Sequence, residues 1–344
     1  MQTFDIAHPY LLFLGDAPDA LAAKTADGVA RWRRDWCVGQ LRLPGCQANL
    51  GLPDMTVAEG WAAGARTLLL GVANRGGRIS DAWLVTLLEA LDQGMDIASG
   101  LHNRLADIPI LQERAQRVGR RLHDVRHPRQ DFAIGTGSRR PGRRLLTVGT
   151  DCSVGKMFTA LALEQEMRRR GWAVDFRATG QTGILIAGGG VSVDAVVSDF
   201  VSGAVEWLAP ASHADHWDVV EGQASLLHPS YAGVTLALVH GAQPDAMILC
   251  HEPARPHMRG LPDRPMPDLA ACIAIHEQCA RLTNPAARVV GLSLNTALLS
   301  ATEAARQIGG FADQLGLPAV DPLRNGVEPL VDALAAGIGR GEWG

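Results

Sequence analysis

The stretch Leu145-Leu-Thr-Val-Gly-Thr-Asp-Cys-Ser-Val-Gly-Lys156 decides the fold of this chain. Its first four residues are mostly apolar, as in a buried strand, and the residues after Lys156 are rich in Ala, Leu and Glu, as in a helix. A glycine-rich loop between a strand and a helix forms a nest of backbone N–H groups, and its lysine adds a positive charge. The sequence therefore predicts a phosphate-binding P-loop at Gly149 to Lys156.

The residue after this loop departs from the pattern of nucleotide-hydrolysing P-loops. Met157 stands where such a loop has the Ser or Thr whose hydroxyl holds Mg²⁺, and a thioether is a poor ligand for that ion. We therefore expect a loop that holds the phosphates of a coenzyme without a metal ion, and coenzyme A is the first candidate. The predicted cofactor-binding residues are Thr150, Asp151, Cys152, Ser153, Val154, Gly155, Lys156 and Met157.

Lysine is rare in this chain, which gives the loop lysine additional weight. Of the 32 basic residues only Lys24 and Lys156 are lysines, and the others are arginines. A lysine kept against that preference indicates a site that needs a compact point charge, where a planar guanidinium would not fit.

Apolar runs alternate with helical periodicity along the chain, which predicts α/β architecture with parallel sheets. Strands are expected at residues 9–15, 40–43, 67–73, 95–98, 122–125, 145–148, 173–177, 217–220, 246–250, 289–294 and 319–320. Helices are expected at residues 18–24, 56–64, 81–93, 109–121, 155–170, 193–208, 267–282 and 297–315.

A polar stretch without either periodicity, Gly135-Thr-Gly-Ser-Arg-Arg-Pro-Gly-Arg143, marks the predicted domain boundary. A chain of 344 residues exceeds what one hydrophobic core usually supports, so two domains are expected. Residues 1–134 are expected to form a Rossmann-like, doubly wound domain. Residues 135–143 are expected to be a linker, and residues 144–344 a P-loop NTPase-like domain with a parallel sheet.

The amino-acid composition of the chain limits the classes of partner that it is expected to bind. The net charge is −4, only 5% of the residues are aromatic, and no basic stripe is present, so neither nucleic acid nor a membrane surface is expected. The N-terminus lacks a signal-peptide pattern, and the six cysteines include no Cys-x-x-Cys pair, which favours a cytoplasmic protein with reduced thiols. The expected partners are a small-molecule substrate and further copies of the chain in a homo-oligomer.

Two resemblances to known families rest on short motifs. The loop Gly-Thr-Asp-x-x-Val-Gly-Lys resembles that of dethiobiotin synthetase, and Val220-Glu-Gly222 resembles the second acidic motif of that family. Over nearly the whole chain, a closer resemblance is to a bacterial two-domain P-loop family associated with D-glutamate N-acetyltransferase. The segments that carry it, besides the P-loop and Met157, are Arg42-Leu-Pro-Gly-Cys46, Gly51-Leu-Pro-Asp-Met55, Gly71-Val-Ala-Asn-Arg-Gly-Gly77, Ser99-Gly-Leu-His102, Arg177-Ala-Thr-Gly-Gln-Thr-Gly183, Glu221-Gly-Gln223 and His228-Pro-Ser-Tyr-Ala-Gly233.

The closer resemblance implies transfer of an acetyl group from acetyl-CoA to the amino group of D-glutamate, with no metal required. Such a reaction needs a base for the ammonium proton, and Glu221 and His228 are the two candidates. The substrate's carboxylates need cations and polar groups, for which loops at strand ends are suited. The predicted substrate-binding residues are Arg75, Gly76, His102, Arg177, Thr179, Gln181 and Tyr231.

Alternative functions remain open at this point. The resemblance to dethiobiotin synthetase implies a Mg-ATP-dependent ligase or kinase acting on a small carboxylic acid, for which Asp151 or Glu221 would recruit the metal. A module that senses nucleotide or coenzyme A without chemistry is another alternative. A nicotinamide-dependent enzyme ranks last, because no Gly-x-Gly-x-x-Gly follows the first predicted strand. Cys250-His-Glu252 is not expected to bind metal, since neighbouring residues on a strand point to opposite faces.

Overall fold

The computed structural model describes residues 3–72 and 79–341 of the chain. These form two compact units. The first contains the described residues up to Gln130 together with Gly180–Ala195, and the second contains Asp131–Thr179 together with the described residues from Val196 onward. Each unit is built on one sheet whose strands all pair in parallel. The predicted α/β class with two parallel sheets is therefore confirmed.

The regular elements alternate between strand and helix through most of the chain. The strands are β1 Tyr10–Gly15, β2 Cys37–Arg42, β3 Thr67–Leu70, β4 Asp96–Ser99, β5 Leu122–Asp124, β6 Arg143–Gly149, β7 Val174–Arg177, β8 Trp217–Val220, β9 Ala246–His251, β10 Arg288–Leu294 and β11 Ala319–Val320. The helices are α1 Lys24–Trp32, α2 Val57–Ala62, α3 Asp81–Gln93, α4 Pro109–Val118, α5 Lys156–Arg169, α6 Gln181–Ala187, α7 Val201–Leu208, α8 Ala232–Ala242, α9 Leu269–Arg281, α10 Ala301–Leu315 and α11 Glu328–Gly339.

The first unit has the strand order β2-β1-β3-β4-β5. Its central strands β1 and β3 carry almost unbroken apolar runs, as expected when helices cover both faces of a parallel sheet. The chain adds β2 on one side of β1 and then returns to add β3 on the other side, so the strand order reverses between β1 and β3. Doubly wound sheets bind ligands at the carboxyl ends of strands beside such a reversal.

Three of the predicted helices begin at least four residues later than expected, among them the one at residues 297–315, since α10 begins at Ala301. The helix expected at residues 18–24 is wrong, because residues 18–23 form bends and turns and α1 begins only at Lys24. There the backbone N–H of Ala22 donates to Asp19 Oδ1 at 2.7 Å, and such local side-chain bonds compete with helix formation. The helix expected at residues 193–208 is also shorter, because α7 begins only at Val201 after two short 3₁₀ helices.

The segment Gly180–Ala195 lies after β7 in the chain but packs within the first unit. Its helix α6 contacts α1, where Thr182 Oγ1 donates to Thr25 Oγ1 at 3.2 Å. The buried guanidinium of Arg126 also pairs with Asp194 in this segment. The order of the elements along the chain does not predict that this segment packs in the first unit, because its packing depends on contacts between residues far apart in sequence.

The second unit has the strand order β11-β10-β9-β6-β8-β7, so the P-loop strand β6 lies between β9 and β8. Leu146 of β6 pairs with Val220 of β8, and Gly149 pairs with Cys250 of β9. Because all of these strands are parallel, the loops after β8 and β9 emerge beside the P-loop.

The polar stretch at residues 135–143 bonds to the second unit. The Glu206 carboxylate accepts hydrogen bonds from the backbone N–H groups of Thr136 and Gly137, each at 2.9 Å. Arg140 donates to the carbonyl oxygen of Gly241 at 2.8 Å. The stretch is thus attached to the second unit, and β6 already begins at its last residue, Arg143.

None of the helices in the described ranges combines the length and the apolar character that a bilayer crossing requires.

Candidate active site

The P-loop connects the end of β6 to the start of α5. Ser153 and Gly155 have φ angles of 55° and 104°, which bend the backbone between Gly149 and Lys156. The first backbone N–H groups of a helix have no intrahelical acceptor, and the first such bond of α5 runs from Thr159 to the carbonyl oxygen of Gly155. The start of α5 is therefore suited to hold an anion.

Lys156 is buried at the base of this loop. Its Nζ donates to the carbonyl oxygen of Asp151 at 2.7 Å, and its burial lowers the pKa of the ammonium. A Cβ added at Gly149 would lie only 3.0 Å from Nζ, so a glycine there leaves the space that the ammonium occupies. The loop thus holds one compact positive charge against its own backbone.

The carboxylate of Asp151 belongs to the internal structure of the loop. Its Oδ1 accepts from the backbone N–H of Cys152 at 2.7 Å. Its Oδ2 accepts from Arg255 Nη1 at 2.8 Å and from the backbone N–H of Arg259 at 2.7 Å. The side chain is fully buried, so Asp151 ties the P-loop to the segment after β9.

Two arginines after β9 contact the P-loop, and the sequence analysis did not identify either. Arg255 donates to the carbonyl oxygens of Cys152 and Ser153 at 2.7 and 3.1 Å and pairs with Glu252. Arg259 Nη1 donates to the hydroxyl oxygen of Ser153. In a chain whose default cation is arginine, no sequence signal separates these two from the others.

Thr150 and His251 form a buried pair beside the loop. Thr150 Oγ1 lies 3.0 Å from His251 Nδ1, and the imidazole packs edge-on against Phe311. Burial, with a smaller contribution from Arg255, lowers the pKa of His251 to about 4. The ring is therefore neutral at pH 7 and adds no charge to the phosphate nest.

Glu221 lies immediately after β8, beside the P-loop strand. Its Oε2 accepts from the backbone N–H of Thr179 at 3.0 Å, and its carbonyl oxygen accepts from the Thr179 hydroxyl at 2.6 Å. The next residue, Gly222, donates its N–H to Thr147 Oγ1 at 2.9 Å. The structure thus brings together two predicted residues, Glu221 and Thr179, in contact with each other.

His228 is buried, and both of its ring nitrogens have partners. Nδ1 accepts from the backbone N–H of Ser230 at 3.2 Å, so the neutral ring carries its proton on Nε2. Nε2 lies 3.2 Å from the carbonyl oxygen of Arg259, to which it donates. The exposed ring of Tyr231 stacks on the imidazole at 4.8 Å between centroids. In this arrangement His228 has no lone pair available to accept a substrate proton.

The Arg177 side chain bonds to carboxylates of its own strand and of the neighbouring strand. Its Nε donates to Asp218 at 2.6 Å and its Nη2 donates to Asp175 at 3.1 Å. Asp175 and Asp218 are neighbours across β7 and β8, so two carboxylates flank the guanidinium. A substrate carboxylate would have to compete with both of them for Arg177.

The other predicted substrate-binding residues lie in the first unit or outside the described residues. His102 is exposed after β4, and Gln181 begins α6. A Cβ added at Gly100 would lie 2.6 Å from the Cβ of Gln181, so the loop that carries His102 packs directly on this residue. Arg75 and Gly76 lie outside the described residues.

Two groups of three potential metal ligands occur in the described part of the chain. They are Asp151, Cys152 and His228, and Asp175, His216 and Asp218. In both groups an arginine already donates to the carboxylates, Arg255 in the first and Arg177 in the second. A cation would have to displace a guanidinium at either place.

Two family models match the amino-acid sequence. One, described as a domain of unknown function (DUF1611_C) P-loop domain, matches residues 132–331. The other, described as a domain of unknown function (DUF1611_N) Rossmann-like domain, matches residues 41–128. These matches confirm the predicted Rossmann-like N-terminal and P-loop C-terminal folds.

Curated relatives and a solved structure resemble nearly the whole chain. A protein named D-glutamate N-acetyltransferase from Tritonibacter scottomollicae is 57% identical over 331 residues, which are 96% of this chain and 99% of that protein. A protein of the same name from a Pseudoalteromonas species is 48% identical over 326 residues, which are 95% and 98% of the two chains.

The crystal structure of a DUF1611 family protein from Anabaena variabilis is 33% identical and gives a TM-score of 0.87, covering 96% of this chain and 100% of that one. Both curated relatives are acyltransferases by name. The chain therefore belongs to the two-domain DUF1611 family, as the resemblance of its sequence motifs predicted.

Proposed function

We propose that this protein transfers the acetyl group of acetyl-CoA to the amino group of D-glutamate, and that its P-loop holds the phosphates of the coenzyme. The observation that carries the proposal is the pairing of a complete P-loop, with Lys156 in place, and a methionine at the magnesium position. The names of two relatives that share 57% and 48% of their residues with this chain support the reaction.

The residues of the loop fit a phosphate group. The start of the 14-residue helix α5 presents backbone N–H groups, and Lys156 adds a buried positive charge beside them. Met157 offers no hydroxyl for Mg²⁺, which phosphoryl transfer usually needs. Acetyl transfer leaves the phosphates intact, so a loop that only binds them is sufficient.

The reaction requires a base close to the substrate amine. The ammonium group first gives one proton to the base; the nitrogen then forms its bond to the acetyl carbon as the carbon–sulfur bond breaks. A second proton moves from the nitrogen to the departing sulfur, so the products are N-acetyl-D-glutamate and free coenzyme A. We assign the base to Glu221, because each carboxylate oxygen has two lone pairs and can accept a proton without losing the hydrogen bond from Thr179.

His228 is the weaker candidate for the base. Since both of its nitrogens have protein partners, it would have to break one bond before accepting a proton. Its bond to the carbonyl oxygen of Arg259 favours a role in holding the segment after β9. The predicted contacts of D-glutamate stay predictions; they are Arg75, Gly76, His102, Arg177, Thr179, Gln181 and Tyr231.

The first experiment measures thiol release from acetyl-CoA by purified, chelator-treated protein, with D-glutamate, L-glutamate, D-aspartate and D-glutamine as acceptors. The proposal predicts release with D-glutamate that does not need a divalent ion. At sub-saturating acetyl-CoA, Lys156→Ala should reduce it by about 10- to 150-fold. A variant at an exposed arginine, Arg306→Gln, serves as the matched control.

The alternative of a Mg-ATP-dependent ligase or kinase rests on the resemblance of the loop to dethiobiotin synthetase. The same preparation tests it when ATP, Mg²⁺ and a small carboxylic acid replace acetyl-CoA. ATP consumption that needs Mg²⁺, together with no thiol release from any acceptor, would replace the acetyltransferase proposal by the ligase.

A further inference from the structure

The charge balance at the P-loop differs between the two arginines that follow β9. Arg255 pairs with the carboxylates of Asp151 and Glu252, so its charge is already matched within the protein. Arg259 has no ion pair with any carboxylate in the residues that the structure describes, and its side chain contacts the hydroxyl of Ser153. This guanidinium lies beside Ser153 of the P-loop, and no carboxylate in the described residues neutralises its charge.

The backbone of Arg259 is fixed on both sides. Its N–H donates to Asp151 Oδ2 at 2.7 Å, and its carbonyl oxygen accepts from His228 Nε2 at 3.2 Å. Asp151 and His228 are both buried, so the anchors themselves have little freedom. A cation placed by two buried partners and directed to the loop is organised in advance, which lowers the entropy lost on binding a ligand.

The proposed ligand needs more positive charge than Lys156 supplies. The coenzyme carries a diphosphate, and its ribose phosphate alone has a charge of about −1.5 to −2 at pH 7. In hydrolysing P-loops Mg²⁺ supplies part of the compensation, but Met157 removes the usual hydroxyl ligand. A guanidinium can supply this compensation through two parallel N–H donors to phosphate oxygens.

We propose that Arg259 is a second phosphate-binding residue of this site, which supplies, together with Lys156, the positive charge that a magnesium ion supplies in a hydrolysing P-loop. This inference rests on the proposed function, since it concerns recognition of the coenzyme. In this assignment Ser153 holds the side chain of Arg259 at the P-loop, and Asp151 holds the segment that carries Arg255 and Arg259.

The test is calorimetric binding of coenzyme A and of 3′-dephospho-coenzyme A to the full chain, with Arg259→Gln and Arg259→Lys. Losing charged hydrogen bonds of about 1.5–3 kcal/mol corresponds to a roughly 10- to 150-fold weaker affinity. We expect that loss for Arg259→Gln and an intermediate loss for Arg259→Lys, which keeps the charge but not the fork. The matched control is Arg264→Gln, an exposed arginine of the same segment.

The two probes identify which phosphate Arg259 meets. An equal loss with both means that it meets the diphosphate, and a loss confined to coenzyme A means that it meets the 3′-phosphate; either supports the proposal. Ser153→Ala separates recognition from loop support: if Arg259 only braced Ser153, both substitutions would weaken binding equally, whereas recognition predicts a larger loss for Arg259→Gln.

Besides equal losses for Ser153→Ala and Arg259→Gln, two outcomes would overturn the inference in distinguishable ways. Wild-type protein that binds coenzyme A, together with an Arg259→Gln variant no weaker than Arg264→Gln, would remove the role of Arg259 and leave the proposed function intact. Wild-type protein that binds neither form of the coenzyme would remove the proposed function, and recognition of the coenzyme by Arg259 with it. Thermal unfolding of each variant confirms that the comparison is made between folded proteins.

Discussion

Lys156 Nζ lies 2.7 Å from the carbonyl oxygen of Asp151, so the lysine of the P-loop bonds to the loop that it completes. Gly149 lies directly against this ammonium, since a Cβ there would lie 3.0 Å from Nζ, so a wider guanidinium would crowd the loop. A phosphate would offer Nζ charged oxygens in place of a neutral carbonyl, and charge-assisted hydrogen bonds are the stronger ones.

The first prediction follows from this fit. Lys156→Ala should weaken coenzyme A binding by about 10- to 150-fold, and Lys156→Arg should be nearly as damaging, because the wider guanidinium has no room beside Gly149. Calorimetric titration of both variants checks it. If Lys156→Arg kept its affinity for coenzyme A, the site would require only a positive charge, whatever its size. The rarity of lysine in the chain would then be unrelated to this site.

The second prediction separates the two candidate bases. Glu221→Gln keeps an oxygen that accepts the N–H of Thr179 but removes the proton acceptor, so kcat should fall by about 10²- to 10⁴-fold with little change in coenzyme affinity. His228→Asn should instead weaken coenzyme binding, because His228 holds the carbonyl of Arg259.

Steady-state kinetics and calorimetry on the same preparations check both statements. Glu166→Gln, at a buried position on α5 that pairs with Arg169 and Arg170, controls for the loss of a carboxylate elsewhere in the unit. A Glu221→Gln enzyme with wild-type kcat, beside an inactive His228→Asn enzyme that binds coenzyme normally, would move the role of base to His228.

The third prediction concerns acid stability and depends on two buried histidines. Burial lowers the pKa of His251 and of His276 from 6.5 to about 4 in each case. In the unfolded chain each ring binds a proton near pH 6.5, whereas in the folded protein it stays neutral until about pH 4. Stability is therefore fully present above pH 6.5 and is lost as the pH falls toward 4, by at most about 3 kcal/mol for each histidine.

His276→Asn tests this dependence. The asparagine amide can replace the Nδ1 donor that bonds the carbonyl oxygen of Cys272 at 2.7 Å, but it does not titrate. Urea unfolding at pH 7.5 and pH 5 should show a smaller loss of stability on acidification in this variant than in the wild type. His213→Asn, at an exposed position, is the control, and an equal effect of the two substitutions would contradict the prediction.

Much of the fold could be predicted because its elements have strong local signals. The expected bounds of α3, Asp81–Gln93, agree with the structure, since Gly94 ends the helix in the left-handed conformation. By contrast α8 was not predicted. Its sequence Ala232-Gly-Val-Thr-Leu-Ala-Leu-Val-His-Gly-Ala242 is apolar on nearly every side and contains two glycines, so it lacks the periodicity of an amphipathic helix.

The P-loop was predictable because all of its residues are contiguous, but its partners are not. Arg255 lies about a hundred positions from Asp151, with which it pairs, and only the order of the strands brings the two together. Arg177 shows the reverse case. It follows the pattern of a ligand-binding loop, yet its guanidinium bonds to Asp218 of the adjacent strand, a contact that no local pattern in the sequence reveals.

The last prediction tests how closely the Glu221 loop approaches the P-loop strand. A Cβ at Gly222 would lie 1.6 Å from the carbonyl oxygen of Thr147 and 3.1 Å from Cδ of Lys156, so an alanine cannot enter without moving the backbone. Gly222→Ala should cost more than the 1–3 kcal/mol that is typical of overpacking. Coenzyme affinity should fall as well, because the same shift disturbs Lys156.

A second glycine provides the control for this substitution. Gly310 lies exposed within α10, and a Cβ there would meet nothing within 4 Å, so Gly310→Ala should stabilise the protein by up to about 1 kcal/mol through helix propensity. Urea unfolding and calorimetry on both variants compare the two cases. If Gly222→Ala had the same free energy of unfolding as Gly310→Ala, the close approach of Gly222 to Thr147 would not contribute to stability. That approach would then not fix Glu221 beside the P-loop.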